Sequence, residues 1–274
     1  MNASMQTLAS FTNEIDIVFT DIDDTLTDEG VLRAEAYSSL WNLHEAGIKI
    51  VPVTGRPAGW CEMIARFWPV HGVIGENGGF YFRYLGAPSS PNQTRIEKKM
   101  KRHFVLDEKT MAKNREALDL VRYEILRNVR GAAVASDQFS RLMDLAIDFA
   151  EDVGPLSETT INQIVSIFEK HGATAKVSSI HVNGWFGSYD KLSTTKVYCE
   201  NELGFKFESA KSKIAFCGDS PNDEPMFEAF TNSFAVANIV NFAERLKFKP
   251  AFVSEKNGGR GFVQIANRIL ELRK

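Results

Sequence analysis

The sequence lacks a long apolar run: none of its 274 residues belongs to a stretch approaching the roughly 20 consecutive apolar residues of a membrane span. Cysteine is scarce. Cys61, Cys199 and Cys217 stand far apart, odd in number and without metal-ligand spacing, so they read as buried thiols in a reducing compartment. Positive charge is not in excess either. The net charge of −3 argues against non-specific nucleic-acid binding. Residues 1–16, MNASMQTLASFTNEID, hold no Lys or Arg and no apolar block; no secretory leader is read there, and the expected location is cytoplasmic. Without a leader, the Asn-x-Ser/Thr tripeptides at Asn2 and Asn92 read as chance. Internal repeats and low-complexity segments are missing too. What remains, 44 % hydrophobic and 24 % charged, is the composition of a globular protein with one large domain or two ordinary ones.

The apolar, β-branched run 15–20 predicts a strand covered on both faces. Ala36, Leu40, Leu43 and Ala46 then share a helix face that Gly47 ends. A second buried strand over 48–53, a helix over 57–67 with Pro57 in its first turn, and a short strand at 73–74 follow. That last strand runs into the turn-rich GENGG (75–79). This is βαβαβ, the order of a parallel sheet. The rhythm breaks at LGAPSSPNQT (85–94) and the basic run RIEKKMKRH (95–103), which reads as a solvated face. A long helix over 108–127, strands over 131–136 and 142–149, a helix capped by Ser157 and a strand over 176–186 predict a separate α+β unit inserted into the first. Alternation returns after Lys191. A helix to about 203 leads to the strand 214–217, a helix over 224–230, the strand 233–236, a helix over 242–246, a strand at 252–253 and a C-terminal helix.

The segment IDIVFTDIDDT raises an electrostatic question, because Asp21, Asp23, Asp24 and Asp28 crowd where a buried strand ends. Two carboxylates about 4 Å apart repel by roughly 4 kcal/mol at an effective dielectric near 20, so a cation is expected beside them. In open α/β sheets, sites lie beyond the carboxyl ends of the strands. Four polar clusters fall there: DIDDT (21–25), TGRP (54–57), DK (190–191) and GDSPND (218–223). A carboxylate at Asp21 suits a nucleophile that forms an aspartyl-phosphate, and Asp23 beside it suits a proton donor and acceptor. Taken alone, the pair is equally a turn with capping aspartates. Thr54 and Gly55 offer a hydroxyl and free N–H groups at a helix start, which suits a phosphate or a plain cap. Lys191 can neutralise phosphate charge, although a lone lysine ordinarily faces solvent. Asp219 and Asp223 are hard oxygen ligands suited to Mg²⁺, with no His or Cys nearby to favour zinc.

In order, spacing and strand placement, these clusters resemble the haloacid-dehalogenase-like (HAD) phosphohydrolases of subfamily IIB, which carry an α/β cap inserted after the third strand. SFAVAN (233–238) and NGGRGF (257–262) look like that branch's late motifs, and the resemblance spans nearly the whole chain. It implies an α/β fold: a Rossmann-like doubly wound parallel-sheet core (1–85 and 187–274) with an inserted α+β cap (86–186). It implies Asp21 as nucleophile and Asp23 as general acid/base. Asp21, the Asp23 carbonyl, Asp219 and Asp223 would hold Mg²⁺. Thr54, the Gly55 amide and Lys191 would hold phosphoryl oxygens, with Asn222 orienting Lys191 or the phosphate. Arg56 and Asn77 match positions near the site. Asp24 departs from the family, which often carries glycine there; its side chain is expected to face solvent or cap locally.

The implied activity is Mg²⁺-dependent hydrolysis of a phosphate monoester, a sugar phosphate, with neither nucleic acid nor membrane as partner. The cap would set specificity. Arg141, Asp144 and Asp148 surround its LMDLAIDF segment, and Ser179, His181 and Asn183 alternate along its last strand, on a face that suits hydroxyl recognition or solvent. Trp185, Phe186 and Tyr189 at the return crossing read as hinge packing. The alternatives are a phosphosugar mutase on the same fold and a non-catalytic regulatory relative; the latter is expected to have lost Asp21 or Asp23, and both are present.

Overall fold

The computed structural model describes residues 5–86, 99–178 and 180–273. Asn2, Asn92, Ser179, residues 87–94 of the turn-rich segment and 95–98 of the basic run therefore lie outside the described residues.

Six parallel strands form the central sheet, in the order Gln6–Thr7, Phe252–Val253, Asn232–Ala235, Ile214–Gly218, Ile17–Thr20, Lys49–Pro52. The fold is the expected α/β class. Every residue of Ile17–Thr20 is buried, and the period-2 pleat explains why an unbroken apolar run is needed there. Val18 points into one core with Leu40 and Leu43 of the helix Ala34–Glu45 and Phe262 and Ile265 of the helix Gly258–Glu271. Ile17 and Phe19 point into the opposite core with Tyr198, Phe216 and Phe227. The second core is covered by the helices Lys191–Tyr198 and Glu224–Ala229. Helices on both faces make the sheet doubly wound.

A second sheet is antiparallel, in the order Thr174–Val177, His181–Trp185, Leu145–Asp148, Ala133–Val134. The helices Glu108–Asn128 and Glu158–Lys170 pack on it, with Val121, Ile125, Ile147, Ile164, Phe168 and Val182 between the layers. Both helices start on side-chain caps: Asp107 accepts from the Thr110 N–H and Ser157 from the Thr160 N–H. Gly184 is needed in the sheet, because a Cβ there would run into the Phe168 ring. Trp185 is buried, stacks on Tyr189 with centroids 5.8 Å apart and donates its indole N–H to the Tyr189 carbonyl, so this aromatic pair is packing at the crossing.

Three local expectations are corrected. The segment 176–186 is not one strand but parts of two, Thr174–Val177 and His181–Trp185, paired across a turn at which Ser178 Oγ accepts from the His181 N–H. Residues 242–246 form no regular helix; the turn of helix there is the short Ala237–Phe242. Part of the basic run, Lys99–Phe104, is a strand paired with Phe80–Leu85, and its Lys101 and Arg102 meet Glu202 and Glu62. Among the described residues, no helix is long and apolar enough to cross a membrane.

Candidate active site

The sheet delivers its polar residues to one end. Asp21 is the first residue beyond Ile17–Thr20, Thr54 lies just past Lys49–Pro52, and Asp219 directly follows Ile214–Gly218. Lys191 opens its helix, with Asp190 as the N-cap in a capping box with Ser193. These loops converge. Lys191 Nζ lies 2.8 Å from Asp21 Oδ2 and 2.8 Å from Asp223 Oδ1. All three side chains are buried, so this lysine does not face solvent.

The electrostatics follow from crowding in a place with little water. Asp21, Asp219 and Asp223 each present an oxygen within 4.8 Å of the others. Burial pushes the Asp21 carboxyl up to about 7 against the pull of Lys191, with the charges of Asp223 and Asp23 adding to the rise. Asp219 is driven well above the usual carboxylate range, by burial first and then by Asp223 and Asp21. Burial opposes the charge on Lys191, but its two carboxylate partners outweigh it and its pKa is raised. One ammonium against three carboxylates leaves negative charge uncompensated, and an all-oxygen donor set of this kind fits a hard divalent cation such as Mg²⁺. Asp223 is engaged through both oxygens, since its Oδ2 also accepts the Asp219 N–H.

Asp23 has a different partner. Arg56 holds both of its oxygens through Nε, at 3.0 and 3.1 Å, and adds Nη2 at 2.8 Å. The same guanidinium reaches Glu151 Oε1 at 3.0 Å and lies over the Trp60 ring. Glu151 stands just past Leu145–Asp148, where the Asp148 carboxylate accepts the N–H groups of Ala150, Glu151 and Asp152. Its other oxygen is 2.9 Å from His181 Nε2. His181 and then Arg56 hold the Glu151 carboxyl down at about 2. Core and insert are thus tied through one buried arginine.

A second tie lies at Glu76. Its backbone is left-handed, φ +44°, and its fully buried carboxylate accepts the N–H groups of Ala58 in the core and Leu142, Met143 and Asp144 in the insert. Arg141, buried between Asp137 and Asp144, donates to the Gly55 carbonyl at 2.9 Å. Replacing Glu76 by Gln turns one acceptor oxygen into an NH₂ facing backbone N–H groups. Glu76→Gln is expected to cost about 2 kcal/mol in denaturant unfolding and to speed amide exchange at 142–144.

The remaining expected residues fall as follows. Thr54 is buried, and its Oγ1 accepts the Arg56 N–H, which is a local cap. Asn222 Oδ1 accepts from Ser220 Oγ and makes no bond to Lys191, which correspondingly does not depend on it for orientation. His181 and Asn183 are buried; Asn183 donates to Asp144 Oδ2. Both line a cavity of about 20 Å³ together with Asp21, Asp23, Gly55 and Asn77. This face of the strand is turned inward. The cavity has room for about one water and opens beside a cleft of about 1200 Å³ that runs between core and insert past Asp24, Asn162, Asn238 and Lys256. Asp24 has φ +55°, a left-handed conformation in which glycine is unstrained and Asp is among the better-tolerated alternatives.

Sequence reasoning missed Glu151, Glu76, Thr25 and Asn238. Thr25 Oγ1 donates to Asp219 Oδ1 at 3.1 Å, and Asn238 Nδ2 donates to the Asp24 carbonyl at 2.9 Å and approaches Asp219 Oδ2 at 3.3 Å. Thr25 and Asn238 stood inside DIDDT and SFAVAN and were findable. Glu76 stood in GENGG, where nothing marked its carboxylate, and Glu151 stood in no motif.

Residues 18–124 match the family model of haloacid dehalogenase-like hydrolases. Over that stretch the chain is similar to this family. No curated protein matches it. Among solved structures, the chain is similar to a Thermoplasma acidophilum protein, with 20 % identity, TM-score 0.68, and 94 % of this chain and 99 % of the other covered. The sucrose-phosphatase of Synechocystis, solved with sucrose and phosphate, gives 14 % identity and TM-score 0.60 over 93 % and 98 % of the two chains. A haloacid dehalogenase-like hydrolase from Bacteroides thetaiotaomicron gives 16 % and 0.63 over 93 % and 100 %. At these identities the likeness is one of fold.

Proposed function

We propose that this HAD-like hydrolase is a Mg²⁺-dependent phosphatase acting on a phosphate monoester, a sugar phosphate, through an aspartyl-phosphate on Asp21. The observation that carries the reading is the buried Lys191 bridging Asp21 and Asp223, with Asp219 crowded against them. An Asp21 oxygen attacks phosphorus while the bond from phosphorus to the leaving oxygen breaks, and the Asp23 carboxyl gives that oxygen its proton. Asp23, now a carboxylate, takes a proton from water as the water oxygen attacks the phosphoryl group. The bond to Asp21 breaks, which releases inorganic phosphate and restores the carboxylate. Asp21, Asp219 and the Asp23 carbonyl would hold Mg²⁺, with Asp223 binding directly or through a water, and the ion would offset the charge of the phosphoryl oxygens. Lys191, the Gly55 amide and the Thr54 hydroxyl grip those oxygens.

We further propose that residues 86–186 are a cap whose inward residues read the leaving group. The proposed test is a panel of sugar phosphates assayed for phosphate release, with and without chelator, and with sugar bisphosphate added to reveal a mutase. On the best substrate, His181→Ala and Asn183→Ala are each expected to lower kcat/KM by about tenfold, roughly 1.4 kcal/mol, and to leave a small aryl phosphate nearly unaffected. Equal losses on both substrates would point to cap closure instead, and undiminished release in chelator would sink the metal-dependent mechanism.

A further inference from the structure

Asn77 carries a polar group with nothing to bind. Its Nδ2 is buried and has no hydrogen-bond partner among the described residues, in a residue only 7 % exposed that lines the small cavity beside Asp21. A buried donor left unpaired is costly, and native structures keep few of them. The backbone that carries it is unusual. Glu76 and Asn77 are both left-handed, at φ +44° and +55°, and neither is glycine.

The surroundings say what the donor faces. The Asn77 N–H donates to the Thr54 carbonyl at 3.0 Å and the Glu76 N–H to the Arg56 carbonyl at 3.2 Å, which fastens this turn to the 54–56 loop. A Cβ at Gly55 would sit 3.3 Å from Asn77 Nδ2, so the amide lies directly against that glycine. On its other side the turn is wedged against the residue before Lys191: a Cβ at Gly78 would run into the Asp190 carbonyl, and Thr194 Oγ1 donates to the Gly78 carbonyl at 2.5 Å. Asn77 therefore stands between the two loops that grip the phosphoryl group in the proposed reaction.

We propose that Asn77 Nδ2 is a further phosphoryl-oxygen donor, a neutral partner to the Lys191 ammonium. The assignment rests on the phosphatase reading and adds a residue to it. A carboxamide suits the position because it donates without adding charge to a cavity already lined by carboxylates, and because Asn tolerates a left-handed backbone.

The test is binding of inorganic phosphate, measured by calorimetry on the whole chain in Mg²⁺ buffer, together with Tm. Asn77→Gly removes the donor and accepts the backbone; phosphate affinity is expected to fall about tenfold with Tm nearly unchanged. Asn77→Asp replaces the donor by an anion and should weaken phosphate further. Asn77→Gly with wild-type phosphate affinity would overturn the assignment, whether Asn77 then serves a leaving-group hydroxyl, which phosphate lacks, or the fold, which a fall in Tm would reveal. Phosphate binding too weak to detect in the wild-type protein would overturn the phosphatase reading along with it.

Discussion

Asp21→Asn is expected to lower phosphate release by at least about three orders of magnitude, about 4 kcal/mol of barrier. The carboxylate oxygen that attacks phosphorus in the proposed reaction is replaced by an amide, a poor nucleophile. Geometry adds to the loss. Asp21 Oδ1 accepts the Ile22 N–H at 2.8 Å and Oδ2 accepts Lys191 Nζ at 2.8 Å. An amide cannot accept at both positions, so its NH₂ would face either a backbone donor or an ammonium. The fold should survive, because the substitution removes one of three crowded carboxylates and leaves Lys191 its bond to Asp223. Acid-quenched protein mixed with substrate should carry phosphate on residue 21 in the wild type and none in the variant. Undiminished turnover in Asp21→Asn would end the aspartyl-phosphate mechanism.

Lys191→Met is expected to abolish measurable turnover and, in metal-free protein, to cost about 3 kcal/mol of stability. Lys191 is buried with two carboxylates at 2.8 Å, and among the described residues no other cation bridges them. Without the ammonium, Asp21 and Asp223 must take up protons or repel each other. A divalent ion would replace part of the missing charge, so Mg²⁺ should raise the Tm of Lys191→Met more than that of the wild type. Wild-type turnover in the variant would transfer the phosphate to another cation. Lys196, the nearest alternative in sequence, is half-exposed with its ammonium 3.7 Å from Glu208.

The parts of the fold legible in the sequence were those where local pattern and tertiary role agree. The run 15–20 reads as a buried strand because both faces of Ile17–Thr20 meet a core. Ser157 announces its helix because the cap is a local bond. The hairpin at 174–185 was misread because its turn is made by Ser178, which has no fixed backbone signature, while the flanking residues are equally strand-like. The convergence of Asp21, Asp219 and Lys191 was legible because each stands at the edge of an element with a clear pattern. Thr54 was readable as a cap or an anion site, and its bond to the Arg56 N–H serves the first. Glu76 and Glu151 were illegible for a shared reason. Their partners lie 66 and 95 residues away, on the other side of the junction between core and insert, and no local spacing encodes such a contact.

The Asp21–Lys191 bond joins residues 170 apart, and one of the two strands beside Ile17–Thr20 begins only at Ile214. During synthesis, the Asp21 loop therefore leaves the ribosome long before its counter-charge or its central neighbour exists. The strands at 133–185 pair only with one another, so the insert can gather its own core during that wait. The parallel sheet closes around it last, a long-range pairing of the slow kind. For most of its assembly the chain carries its acidic loop exposed to water, and that loop becomes part of a buried, crowded cluster only in the final steps.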